Sequence, residues 1–388
     1  MKIAILNHCA HKPGDLLDSL LLRVLHLAGR FLRADLFLLS GKVAAEQIGE
    51  AFWTDIRTSL DQRKVGMKIL VDPSAGGPAN LPYASGKVIP FGEELISVSE
   101  LFERVGEVPD FHQAPHAFLV FETDGGRIAN RREHRAALPD EFTGKLTDWH
   151  VHTNLAYCSE NMTIPSALAA ARETGLRQIH FSEHSGHLYY TRDEYWSGKW
   201  EQKTGDLSDG GFLHRGEEYA AILEQNRNLP GYTHGFELDV DSRGTIVLSE
   251  RDSALSQKNL GAVHFLTEKK NLPEVKREFL FRTEALLRYG IPILAHPFRI
   301  FRWGCGIAAP EDLFRPLAEL LKKYNTAAEI NCHCNFPYPE FCRICLEKGV
   351  KFSLGSDAHN LYEVGFFHPH LEFLKELGIY DRLDEFLI

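Results

Sequence analysis

The sequence lacks several features that would place it in a familiar class at once. No apolar run approaches the ~20 residues that a membrane helix needs, and the opening Met1–Leu6 is broken too soon by Asn7, His8 and Pro13 to be a signal peptide. Membrane attachment is therefore not expected. Lysine and arginine form no block, and 43 basic residues face 53 acidic ones for a formal charge of −10. That balance argues against a surface that coats nucleic acid, while leaving room for one small basic pocket. Cysteine is sparse: seven residues without a secretory signal read as reduced thiols of a cytoplasmic protein. There is no internal repeat or low-complexity tract, and residues 1–144 contain no Gly-rich phosphate loop and no nucleophile elbow.

What is present is an ordinary globular composition, 44% hydrophobic and 25% charged over 388 residues, enough for a sizeable core. The length fits two domains, or one large barrel with an appendage. Residues 1–144 read as a small α/β domain. Strands are expected at Lys2–Leu6, Leu36–Leu39 and Phe118–Glu122, a helix from Leu16 to Leu32, a Pro/Gly-rich loop from Asp72 to Ala84, and a charged linker over Arg131–Glu141. From residue 145 to 388 short apolar strands alternate with helical stretches, the rhythm of parallel βα units. Seven strands are expected: Leu146–His150, Gln178–Ser182, Tyr232–Leu238, Leu260–Phe265, Ile291–Ala295, Ala327–Asn331 and Lys351–Ser356. Thr163, Pro165 and Gly175 predict a capped helix after the first strand, and Gly290 and Gly349 stop helices before the fifth and seventh. The aromatic, polar segment Tyr189–Gly211 reads as an insertion able to roof a site.

Histidine is the one unusual count, at nineteen. Near the C-terminal end of each of the seven strands stands a side chain that can bind a metal: His150 and His152; Glu183 and His184; Glu237 and Asp239; His264; His296; Glu329 and Asn331; Asp357 and His359. Residues two apart on a strand point to one face, so His150 and His152 can share an ion, and Asp357 and His359 can reach neighbouring ones. In a parallel barrel all these ends meet at one rim, where active sites form. Asp148, Glu183, Asp239, Glu329 and Asn331 are expected to orient ligands rather than to bind. Cys332, Cys334, Cys342 and Cys345 could form a separate structural metal site or be reduced core thiols. In the first domain His8, Cys9 and His11 form a cluster without a partner motif.

The segments Asp148-Trp149-His150-Val151-His152-Thr153, Ser182-Glu183-His184, Gly235-Phe236-Glu237, Gly261-Ala262-Val263-His264, Ala295-His296-Pro297 and Gly355-Ser356-Asp357-Ala358-His359 together resemble, in order, the motifs of the PHP (polymerase and histidinol phosphatase) domain. The resemblance covers residues 146–388. It implies an irregular (β/α)7 barrel and two or three divalent ions of zinc, iron or manganese. It implies a first ion on His150, His152, Glu237 and Asp357, with Glu237 bridging to a second ion on His264 and His296. A third would take His184 and His359. Where the family has a His or Asp as the last ligand, this sequence has Cys158, with Glu160 as an alternative; a thiolate favours softer ions such as zinc.

Paired cations suit phosphate-ester hydrolysis, because they clamp the phosphoryl group and bring the pKa of a bound water towards ~7. The expectation is a phosphatase or phosphodiesterase acting on a small molecule, with a metal-bridging hydroxide as nucleophile. Arg299 and Arg302 are the candidate phosphate clamps, and His187 and Tyr189 the candidate contacts to the leaving group. Two alternatives stand beside it: hydrolysis of a non-phosphate bond by the same activated water, and a silent metal-binding regulatory module.

Overall fold

The computed structural model describes residues 1–7, 23–40, 67–71, 88–91, 93–106, 108, 117–159, 161–203, 205–333 and 337–388. They fall into two compact units, Met1–Glu141 and Phe142–Ile388.

In the first unit, strands β1 (Lys2–Asn7), β2 (Leu36–Ser40) and β3 (Lys68–Val71) run parallel. A separate pair, β4 (Val88–Phe91) and β5 (Glu94–Ser97), precedes the helix Val98–Val105. Strands β6 (Ala117–Asp124) and β7 (Arg127–Arg135) complete the main sheet, in the order β3-β2-β1-β6-β7, with both new pairings antiparallel. Alternate residues Ile3 and Ile5, Leu36 and Leu38, and Leu119 and Phe121 turn to one face and form its core. The expected linker at Arg131–Glu141 is corrected here. Residues up to Arg135 belong to β7, which is charged because it is the exposed edge of the sheet, where charge discourages pairing with another chain. The expected helix is helical where it is described, ending in a wide π turn at Leu27–Phe31. Residues 16–22, the 72–84 loop and the His8, Cys9 and His11 cluster lie outside the described residues.

The second unit carries seven parallel strands in sequential order. They are β8 (Thr147–Val151), β9 (Gln178–His184), β10 (Tyr232–Leu238), β11 (Leu260–Gly261), β12 (Ile293–Leu294), β13 (Ala327–Asn331) and β14 (Phe352–Gly355). All seven expected strands are present, and the fold is an α/β barrel of (β/α)7 form. Two backbone bonds join the end of its first strand to the segment just after its last, His152 N–H to Ala358 O (3.0 Å) and Ala358 N–H to His150 O (3.3 Å). Trp149 of β8 clusters with Leu260, Ile293 and Ala327 of strands that are not its sheet neighbours, so these side chains meet across the barrel interior. The helix Ile164–Thr174 starts as predicted: the Thr163 side chain accepts the Ser166 N–H, and Gly175 ends it at φ +82°. The fourth and fifth strands are shorter than expected, Leu260–Gly261 and Ile293–Leu294, and the chain turns left-handed at His296, φ +30°, two residues past the fifth.

The long connection after β9 folds into three short helical turns whose Tyr189, Tyr195 and Trp200 are buried. Arg282, fully buried in the helix Leu272–Tyr289, holds this insertion down. Its guanidinium donates to Glu201 Oε1 (2.5 Å), to the Val240 carbonyl (2.9 Å) and to Glu278 Oε1 (2.9 Å from Nε). Removing one partner from a buried ion network strands the other charges. Arg282→Met is therefore expected to lower stability by about 3–5 kcal/mol in chemical unfolding. Arg251→Met, which loses only an exposed pair with Glu217, should leave the unfolding midpoint in place. Equal midpoints for the two variants would contradict this account of Arg282.

Candidate metal centre

At the rim of the barrel, the chain closes four overlapping triads of ligand atoms. They are His150–His152–Asp357, His150–Glu237–His296, His184–Glu237–His264 and His152–His184–His359. In every triad the ligand atoms lie within 4.8 Å of one another. Shared members make the triads one continuous cluster rather than separate sites. The barrel seam explains part of it: bonding β8 to the residues after β14 sets His150 and His152 against Asp357 and His359. Sheet register explains another part, because Glu237 of β10 lies directly opposite His184 of β9.

Several histidines have their tautomer set by a group that can only accept. His264 Nδ1 is 2.7 Å from Asp239 Oδ1, His150 Nδ1 is 2.8 Å from Glu329 Oε1, and His359 Nδ1 is 2.7 Å from the Asp357 carbonyl. Each must carry its proton on Nδ1, so the neutral ring presents a lone pair from Nε2. That lone pair then faces other lone pairs. His264 Nε2 is 3.1 Å from Glu237 Oε1, and His150 Nε2 is 3.4 Å from Glu237 Oε2 and 3.5 Å from Asp357 Oδ1. His184 Nδ1 stands 2.9 Å from Glu237 Oε2. Yet Glu237 Oε2, His184 Nδ1 and His264 Nε2 are buried and make no hydrogen bond. Acceptors packed this closely without alignment must be separated by protons or by cations, and mixed imidazole and carboxylate donors suit zinc, iron or manganese. The residues present thus fit a multinuclear centre.

The electrostatics agree. Burial opposes the charge on His264, but Glu237 and Asp239 outweigh it and lift the ring to about 10. Burial likewise opposes His150, and Asp357, Glu329 and Glu237 hold it well above its ordinary value. Glu237 is kept well below the usual carboxylate range, against burial, by His264, His150, His184 and His296.

The braces around the cluster divide into two kinds. Glu329 takes the His150 Nδ1–H and the His296 N–H (2.6 Å), and Asp239 takes the His264 Nδ1–H, so these two fix histidine rings of the cluster. Asp148 and Glu183 instead hold backbone. Asp148 accepts N–H groups of Ser356 (2.9 Å) and Gly365 (2.8 Å) and ties down the barrel seam, and Glu183 accepts the Thr153 N–H (2.6 Å). Burial pushes these carboxyls up, Asp148 to about 6 and Glu183 to about 7. Tyr195, from the insertion, donates to Asp239 at 3.0 Å. A Cβ on Gly355 would strike Glu329 Oε1 and come within 2.7 Å of His150 Cβ, so only glycine lets that brace sit beneath its histidine. Asp357, like His296, is left-handed, at φ +55°.

The remaining sequence candidates are placed unequally. Cys158 Sγ is 3.8 Å from His184 Nε2, at the edge of the cluster; Glu160 lies outside the described residues. Arg299 donates to Asp357 Oδ2 and to Asn331 Oδ1 (3.2 Å), whereas Arg302 is exposed on the same short helix. His187 is buried, its Nδ1 accepting the Tyr157 N–H (3.3 Å), which puts the proton on a buried Nε2 without a partner. Tyr189 turns away from this group, donating to Asp252 (2.7 Å). Cys332, Cys342 and Cys345 are buried, and no cysteine joins a metal-ligand group among the described residues; Cys334 lies outside them. Sequence reading missed His333 and Glu363, whose side chains pair at 3.2 Å beside His359. The available signal was the two-residue spacing of His333 after Asn331, past the end of a strand.

No family model matches the chain, and no curated protein matches it. Among solved structures, the crystal structure of a candidate histidinol phosphatase, HisK, from Listeria monocytogenes is similar over 56% of this chain and 97% of its own. The identity is 13% and the TM-score 0.40, a likeness too slight to bear on activity or ligands here.

A pH dependence of metal binding follows. Without an ion, His264 and His150 hold protons at neutral pH, because both are raised. A divalent ion must displace them, so affinity should rise between about pH 6 and 8, by about tenfold per pH unit for each proton released. Calorimetric titration in two buffers of different ionisation enthalpy measures that release. Ion binding without proton release, and with an affinity indifferent to pH, would count against this arrangement.

Proposed function

We propose that the second unit is a metal-dependent hydrolase of phosphate esters, acting as a phosphatase or phosphodiesterase on a small molecule. His150, His152, Glu237 and Asp357 would hold one ion, Glu237, His264 and His296 a second, and His184, His359 and Cys158 a third. The observation that carries the reading is the buried Glu237 carboxylate, ringed by nitrogens of His150, His184 and His264 at 2.9–3.4 Å that its hydrogen bond with His296 Nε2 (2.6 Å) does not account for. Divalent ions at such a centre neutralise phosphoryl charge and bring a water towards pKa ~7.

The chain's own residues supply the rest. Arg299 lies against Asp357 and offers a planar, bidentate donor to phosphoryl oxygens at the edge of the cluster. His187, held well below its ordinary value by burial and then by the neighbouring His184, His152, His264 and Arg215, offers the Nε2–H to a leaving-group oxygen. The excess of acidic residues favours a small ester over a nucleic-acid strand.

The test is direct. Manganese-loaded protein is assayed on an aryl phosphate and on a bis-aryl phosphodiester. Turnover of at least one is expected, abolished by a chelator and in His150→Ala. Arg299→Ala is expected to cost about 10²-fold or more in kcat/KM, in keeping with the loss of a transition-state donor. No turnover of either ester, with two or more ions bound per chain, would sink the proposal.

A further inference from the structure

We propose that His333 and Glu363 form, with His359, a second seat for the third cation, used by manganese in place of the seat at Cys158 and His184. This rests on reading the cluster as a metal centre. The ligand atoms of His333, His359 and Glu363 lie within 4.8 Å of one another, a fifth triad at the edge of the other four. His333 Nδ1 is 3.2 Å from Glu363 Oε1, and the His333 and His359 rings are 5.3 Å apart. The side chains are largely desolvated yet reachable from the rim, 13%, 9% and 15% exposed for His333, Glu363 and His359.

The seat is also braced. Glu363 Oε2 accepts the His359 N–H (3.0 Å), and Asn331 Oδ1 accepts the His333 N–H (3.1 Å). Asn331 is anchored in turn on Glu329 (3.1 Å), the carboxylate that orients His150. Ligands held in this way need little reordering to receive an ion.

The two seats exclude each other. With its Nδ1 proton committed to the Asp357 carbonyl, His359 has one lone pair, on Nε2, and one lone pair binds one ion. Both triads contain His359. They differ in softness: the first joins His359 to His152 and His184 with Cys158 Sγ 3.8 Å from His184 Nε2 at its edge, and the second joins it to one imidazole and a carboxylate oxygen. Zinc favours the first and manganese the second.

The full chain, stripped by a chelator, is titrated with manganese alone and with zinc alone, and separately loaded with cobalt(II) as a spectroscopic probe. Glu363→Gln and His333→Gln are each expected to weaken the last manganese ion to bind by about tenfold or more while leaving zinc binding unchanged. Cys158→Ser should do the reverse. It should also remove a near-ultraviolet sulfur-to-cobalt band that Glu363→Gln retains. Opposite metal preferences among the variants separate ligand loss from misfolding, which would weaken both metals. Manganese binding that is unchanged in both His333→Gln and Glu363→Gln overturns the proposal and leaves the pair a salt bridge only. Equal losses of manganese and zinc in those variants overturn it too, making the pair a structural brace. A wild-type chain that binds no ion overturns the metal-centre reading itself, so the two failures are distinguishable.

Discussion

Glu237 is a carboxylate with no solvent exposure, placed among four histidines. Removing such a charge from water costs several kcal/mol or more unless opposite charge meets it. The neighbouring nitrogens cannot all meet it as neutral rings, because braces on the far side of His150 and His264 leave their lone pairs pointing inward. Cations resolve this conflict, and so do extra protons, which is why both rings are raised. Much of the surrounding barrel can be understood as support for that one arrangement.

The support is layered. Backbone bonds between the end of β8 and the segment after β14 bring candidate ligands from opposite ends of the second unit together, and Asp148 holds the same seam through N–H groups of Ser356 and Gly365. Glu329 and Asp239 then fix ring orientation. Tyr195 links Asp239 to the aromatic insertion, and Arg282 holds that insertion to the body of the unit. Orientation of the His264 ring is thereby tied to packing several side chains away.

Local backbone was spent on the same end. His296 and Asp357 adopt left-handed conformations that residues with side chains rarely take, and both are in the cluster. Gly355 is the complementary case, where absence of a side chain makes room for Glu329. Strained positions persist where surrounding contacts over-determine them, and here the contacts are those of the candidate centre.

Much of the fold was legible in the residues alone, for local reasons. Apolar runs separated by capped helices marked seven parallel strands, and a His, Asp or Glu at each strand end marked the rim, since side-chain direction along a strand depends only on period. The charged strand Arg127–Arg135 misled, because an exposed edge strand has no apolar period to betray it. What only the tertiary structure decided is which strand ends meet. Closure of the ring set His150 and His152 against Asp357 and His359, and divided the polar residues into members of the cluster, ring braces and backbone ties. It also brought His333 and Glu363, thirty residues apart, beside His359. Such pairings depend on register and closure across the whole barrel, which no local pattern encodes.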